Sequence, residues 1–207
     1  MSSAMHAHTV SPAVDPAGTA LAPGEQRLLL SGVTWEQYEA LGAVVQDRAG
    51  LRMIYLEGML ELMTQSIDHE GIKKMLARLL EIYALEQGID LNGYGSTTFR
   101  ERAKARGLEP DECYCLGPAK RVPDIVLEVV LSSGGIDKLE VYRGLAVPEV
   151  WFWENGRLTL HALDDDHYVP IERSRKLPTL DLSQLLQFVR PDDQTSAVRA
   201  YRDALRG

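Results

Sequence analysis

Two carboxylates, Asp111 and Glu128, sit in segments where a charge is expensive to bury: EPDECYCL at 109–116 and VPDIVLEVVL at 122–131. Only the GPAKR break at 117–121 separates them, and a connection that short pairs its flanking strands antiparallel. With Leu116 set opposite Pro123, Asp111 faces Glu128 directly, on one side of the sheet, with Cβ atoms roughly 4.5–5.5 Å apart. Two carboxylates so placed repel unless something cationic lies between them. A hard divalent ion held by the two side chains and a backbone carbonyl meets that need, and Mg²⁺ suits a site with few protein ligands and several waters. Asp124 shares the face but lies four residues from Glu128, about 13 Å along the strand, too far for one ion to bind both directly.

Lys138 follows the Ser/Gly loop after the Glu128 strand, near the first turn of a helix whose start is held close to the strand end. A lysine there can orient or deprotonate a water, or stabilise charge developing on a phosphate. Tyr142, at i+4, shares its helix face. His69 offers a further polar group from a long helix. Each signal has an ordinary structural explanation. Pro-Asp pairs start strands, a Glu128–Lys138 salt bridge would satisfy both partners, and a lone inward histidine is usually a hydrogen-bonded core residue. The co-occurrence of these residues carries the argument.

The surrounding elements can be read from periodicity and capping. Residues 1–26 are rich in Ala, Ser, Pro, Gly and His without an apolar period, which predicts a flexible leader ahead of a single domain over 27–207. Thr34 with Gln37 forms a capping-box pattern before a short helix. RMIYLEGMLELM predicts a hairpin around Glu57-Gly58, placing Glu61 on one of its faces. Asp68 is the expected N-cap of a helix reaching about Gln87, with Gly88 just beyond its end. On that helix His69 falls about 60° from the centre of the apolar stripe and Glu70 about 160° away, so His69 faces inward and Glu70 outward. GSTTFR predicts a strand and ERAKARG a mobile charged loop. A helix is expected around Ile136–Gly144. Asn155-Gly156 marks a type I′ hairpin, and two weaker helices form a tail at about 180–206. The order predicts an α/β domain with a core at about 50–165 and a mixed central sheet flanked by helices.

Composition excludes some classes of function. With 30 acidic and 22 basic side chains the net charge is −8, which disfavours high-affinity, non-specific nucleic-acid binding but leaves room for a local basic patch. No apolar run is long enough to cross a membrane and no secretory signal opens the chain, so a cytoplasmic protein is expected. Cys113 and Cys115 alternate onto one strand face, a geometry that favours two buried thiols over a disulfide.

Helix–strand–strand–strand–helix–strand, with Pro-Asp on one strand and an acidic residue on the next, resembles the PD-(D/E)XK nuclease superfamily. At finer grain, YLEGMLELM, the DHE that opens the long helix, GSTTFR, EPDECY, VPDIVLEV and DKLEVYRGLAVPEVWFW resemble the Uma-two family of restriction-endonuclease-like proteins, over roughly residues 28–165. The resemblance implies a restriction-endonuclease-like core with an added N-terminal hairpin, and a metal-dependent phosphodiesterase site with Asp111 and Glu128 as ligands. Val130 stands where the simplest superfamily motif has lysine, and Lys138 is the candidate for a migrated equivalent. The expectation is therefore a DNA endonuclease using Mg²⁺, with Mn²⁺ as substitute. Asp111, Glu128 and the Val129 carbonyl hold the ion, Lys138 assists the nucleophile, and His69 takes part in second rank. The competing expectation is a catalytically degenerate interaction protein on the same fold, a homodimer joined through its apolar hairpin surface. A nuclease acting on RNA is a third.

Overall fold

The computed structural model describes residues 26–45, 50–95, 97–132 and 134–207, so the expected leader lies outside the described residues apart from Gln26. The N-terminal part builds one sheet. β1 (Arg27–Leu30) precedes α1 (Trp35–Val45), whose start is the expected capping box: Gln37 N–H donates to Thr34 Oγ1 at 3.3 Å and Thr34 N–H to Gln37 Oε1 at 2.8 Å. β2 (Leu51–Leu56) and β3 (Met59–Thr64) form the expected hairpin. Its turn puts Glu57 and Gly58 at φ 48° and 93°, the positive pair a tight antiparallel reversal requires.

α2 (Ile67–Glu86) ends before Gly88 at φ 65°, as expected. Its N-cap is Ser66, not Asp68. Ser66 takes the extended conformation and its hydroxyl accepts the His69 N–H at 3.1 Å, which leaves Asp68 in the first turn, where a negative charge meets the helix dipole favourably.

Two further expectations are corrected between α2 and the central strands. Among the described residues of GSTTFR only Phe99 and Arg100 lie in a strand, β5 (Phe99–Glu101), which follows the short β4 (Leu91–Gly93). The charged ERAKARG stretch is an ordered part of the sheet: one 3₁₀ turn at Arg102–Lys104, then β6 (Arg106–Leu108), which is buried throughout. Charge alone misled here, because Arg106 is neutralised by Glu57 at 2.9 Å and donates to the carbonyls of Glu140 and Lys104. Gly107 leaves room for the Tyr38 ring, whose hydroxyl an added Cβ would strike. The first sheet thus has the order β1-β3-β2-β6-β5, all antiparallel.

The second sheet is the expected mixed one. β7 (Glu112–Leu116), β8 (Ile125–Val130), α3 (Lys138–Leu145), β9 (Glu149–Glu154), β10 (Arg157–Asp164) and β11 (His167–Ile171) follow in sequence. The strand order is β11-β10-β9-β8-β7-β4, with β8 and β9 parallel across α3 and every other pair antiparallel. The β9–β10 turn is the Asn155-Gly156 reversal, at φ 51° and 77°. The tail holds α4 (Leu182–Leu186), a 3₁₀ turn at Pro191–Asp193 and α5 (Gln194–Arg206).

Alternation along β8 gives the sheet two covered faces. Ile125, Leu127 and Val129 join Met75, Leu79 and Tyr83 of α2 and Tyr201 of α5 in the larger core. Val126 turns the other way, toward Val141 and Tyr142 of α3 and Ile54 and Leu108 of the first sheet. Fully burying each such side chain contributes about 1.5–3 kcal/mol. Glu128 shares the parity of Val126, so the core lies beneath one face of the site strand and α3 and the first sheet cover the other. A third cluster, Trp35, Tyr38 and Tyr55, seats α1 on the first sheet. The thiols of Cys113 and Cys115 are buried and unbridged.

Candidate active site

The site begins with strand register. Glu112 pairs with Leu127, Cys113 with Val126 and Tyr114 with Ile125, the register the sequence predicts; Asp111 is the residue just before β7, and extending that register by one step sets it toward Glu128. Asp111 is 3% exposed and Glu128 1%. Isolated charges so deep would be costly, and the partners around them explain how they are tolerated.

Asp111 is held from three sides. Oδ1 accepts from Gln65 Nε2 at 2.6 Å and Oδ2 accepts from the Val129 N–H at 2.8 Å, while His69 Nε2 lies 3.1 Å from Oδ2. The same His69 nitrogen is 3.1 Å from the Val129 carbonyl oxygen. The two nearest neighbours of Nε2 are acceptors, and the Gln65 Nε2 donor lies 3.3 Å from Nδ1 and 3.4 Å from Nε2, which assigns the ring hydrogen to Nε2 and leaves Nδ1 to accept from Gln65. Burial acts to raise the Asp111 pKa, but the His69 hydrogen bond, the Lys138 charge and the Val129 N–H outweigh it and hold the carboxyl well below the usual range. His69 is 1% exposed, while Glu70, on the next position, is half-buried with 45% of its side chain exposed and is paired with Lys73, which is the helix orientation the sequence predicts.

Glu128 is satisfied by α3. Lys138 Nζ donates to Oε2 at 2.6 Å and the Tyr142 hydroxyl donates to Oε1. The i,i+4 spacing puts both donors over one carboxylate. Burial foremost, with the Asp111 charge added, pushes Glu128 up to about 7 against the pull of Lys138. Burial works against the Lys138 charge, yet Glu128 and Asp111 more than compensate and its pKa rises. Asp137 places the lysine: its side chain accepts the Leu139 N–H at 2.9 Å and caps α3, so Lys138 occupies the first helical position.

The loop between Glu128 and Lys138 is gripped from the first sheet by residues to which sequence spacing assigns no role. Arg27 Nε lies 2.9 Å from Glu61 Oε1, and Arg27 Nη2 donates to Ser132 Oγ at 3.1 Å. Glu61 Oε2 accepts the Ile136 N–H at 2.7 Å, and a Cβ on Gly135 would collide with it. Gln65 is a further site residue that spacing does not reveal. Its one sequence signal is its place four residues before His69, at the mouth of the helix. The remaining acids stand apart from the site. Asp124 accepts from Leu116 N–H at 2.8 Å and pairs with Lys120 and Lys176, while Glu57 pairs with Arg106.

Among the described residues no group of three or more His, Cys, Asp or Glu side chains is placed to hold a metal ion. The oxygens at hand are the two carboxylates, the Val129 carbonyl and Gln65 Oε1, which is buried and has no hydrogen-bond partner among the described residues. An orphaned amide oxygen of this kind costs roughly 1–3 kcal/mol. An all-oxygen donor set with only two carboxylates fits Mg²⁺, which keeps several waters, and does not fit zinc.

A family model described as "Uma2: Putative restriction endonuclease" matches residues 35–192, well over half of the chain. No curated protein matches it.

Proposed function

This chain belongs to the Uma2 family, and on that premise we propose that it is a Mg²⁺-dependent endonuclease that hydrolyses DNA phosphodiester bonds. One observation carries the proposal. The β7–β8 register brings Asp111 across from Glu128, and the N-terminal turn of α3 brings Lys138 Nζ to 2.6 Å from Glu128. Asp111, Glu128, the Val129 carbonyl and Gln65 Oε1 would hold the ion. When bound, Mg²⁺ supplies Lewis-acid polarisation of a phosphoryl oxygen and a water of lowered pKa. Lys138 supplies positive charge for a developing phosphorane or steadies the attacking water. His69 and Gln65 hold Asp111 in one orientation, and Tyr142 holds Glu128. The migrated lysine answers the Val130 departure, since Lys138 reaches the carboxylate that a lysine at 130 would serve.

A second reading has its own support. Both Glu128 oxygens have protein donors, and among the described residues no three-ligand group is present. That closed network suits a nuclease-fold protein that binds without cleaving, and it does so as it stands. The first reading requires Glu128 to release an oxygen from Lys138 or Tyr142. Incubating the purified chain with single-stranded and duplex DNA and RNA, in Mg²⁺, Mn²⁺ or EDTA, separates the two. The endonuclease proposal expects metal-dependent cleavage that Asp111→Ala reduces at least a hundredfold. Intact substrates in every metal support the second reading and overturn the first.

A further inference from the structure

A cleft of about 320 Å³ opens beside Lys138, between the end of β8, the start of α3 and the first sheet. Its size is at the lower end of small-ligand sites, far below what a duplex groove would need. Phe152 of β9 and His161 of β10 form one wall, their rings edge to face with centroids 5.7 Å apart and planes at 77°. Met63, Ile136 and Leu139 supply aliphatic surface opposite, and Thr159 lies exposed at the rim.

The charges in the cleft are largely spoken for. Arg27 is paired with Glu61 at 2.9 Å and Lys138 with Glu128 at 2.6 Å, while Asp137 and Glu154 add negative charge to the lining. This balance disfavours an anion within the cleft and suits an uncharged, planar, partly polar group. Aromatic walls of this kind hold nucleobases by stacking and edge contact, without sequence demands.

We propose that the cleft takes one unpaired, uncharged nucleobase of a single-stranded or locally opened nucleic acid. The proposal rests on the nucleic-acid reading above and adds a substrate class to it. A base inside a duplex stack cannot enter a cleft this size without being turned out of the helix.

The test uses the full chain in EDTA, where cleavage cannot interfere, and a short DNA oligonucleotide carrying one 2-aminopurine. The single strand is expected to show saturable fluorescence quenching with at least tenfold tighter binding than the same strand in a duplex. His161→Ala is expected to weaken binding about tenfold. Thr159→Trp, made at an exposed rim position where it leaves the core intact, is expected to abolish it with an unchanged far-UV dichroism spectrum and thermal midpoint. Equal binding of duplex and single strand, or full binding by Thr159→Trp, overturns the cleft assignment. Quenching without any cleavage in Mg²⁺ or Mn²⁺ supports the cleft and removes only the endonuclease proposal. Cleavage of duplex without quenching keeps the endonuclease and removes the cleft.

Discussion

Replacing Lys138 by Met tests the electrostatics of the site without a ligand. The substitution keeps most of the side-chain volume and removes the cation 2.6 Å from Glu128. In the native protein Glu128 is pushed up to about 7, chiefly by burial, from an ordinary value of 4.5. Lys138 is the largest influence in the opposite direction, so its removal raises the Glu128 pKa further. The sign follows from linkage. Below pH 7 Glu128 carries its proton in both folded proteins, and the substitution costs packing and the attraction of Lys138 to the ionised Asp111, neither of which changes between pH 5.5 and pH 8.5. Above pH 7 the native carboxyl ionises beside its cation while the variant's retains its proton, and the variant loses ground by about 1.36 kcal/mol per pH unit. Between pH 7 and pH 8.5 that amounts to at most about 2 kcal/mol, or about 4–8 °C in Tm for a chain of this size. Urea unfolding of both proteins in EDTA, at pH 5.5 and pH 8.5, measures the difference. A cost that is the same within about 0.5 kcal/mol at the two pH values would refute the coupling of Lys138 to a buried, raised Glu128.

Other sites give independent checks. Glu149 is 1% exposed and accepts from Trp151 Nε1, Ser174 Oγ and the backbone N–H groups of Arg175 and Lys176, so Glu149→Ala orphans several buried donors. It is expected to destabilise the fold by about 3–5 kcal/mol in urea unfolding, and Glu149→Gln by less. Asp124 is affected first by burial, which raises its pKa, but its bonds to Lys120 and the Leu116 N–H prevail and lower it from 3.8. A depressed carboxyl stabilises above its unfolded pKa and loses that stabilisation as pH falls through its folded value. Asp124→Asn is therefore expected to cost about 1.5–3 kcal/mol at pH 7 and progressively less below about pH 4, followed by acid unfolding of the pair.

Local rules carry the fold a long way in this sequence. The Thr34–Gln37 box, the Glu57-Gly58 and Asn155-Gly156 reversals and the GPAKR break are each set by a few adjacent residues, and each appears in the structure where expected. The break also sets the register, which is why the Asp111–Glu128 opposition is legible from the order of residues alone. Long-range pairing is the limit. ERAKARG looks mobile because its charges suit solvent, and only the distant Glu57 and Tyr38 turn it into a buried strand. The cap of α2 falls two residues from its expected place because Asp68 is as good a capping residue by type as Ser66. In the site, helix spacing is enough to bring Lys138 and Tyr142 together. It does not reach Gln65, Glu61 and Arg27, since their roles depend on where the first sheet meets the β8–α3 loop, and no spacing in the chain encodes that contact.

The central claim is that Asp111 and Glu128 form an ion site that Lys138 closes at rest. A crystal structure of the chain soaked in Mn²⁺, with anomalous diffraction to locate the metal, addresses it most directly. The account predicts a peak between Asp111 and Glu128, about 2.0–2.3 Å from an oxygen of each, with one Glu128 oxygen released by Lys138 or Tyr142. No peak at full soak, with Lys138 and Tyr142 both still on Glu128, would contradict it and leave the buried ion pair as the whole purpose of the site.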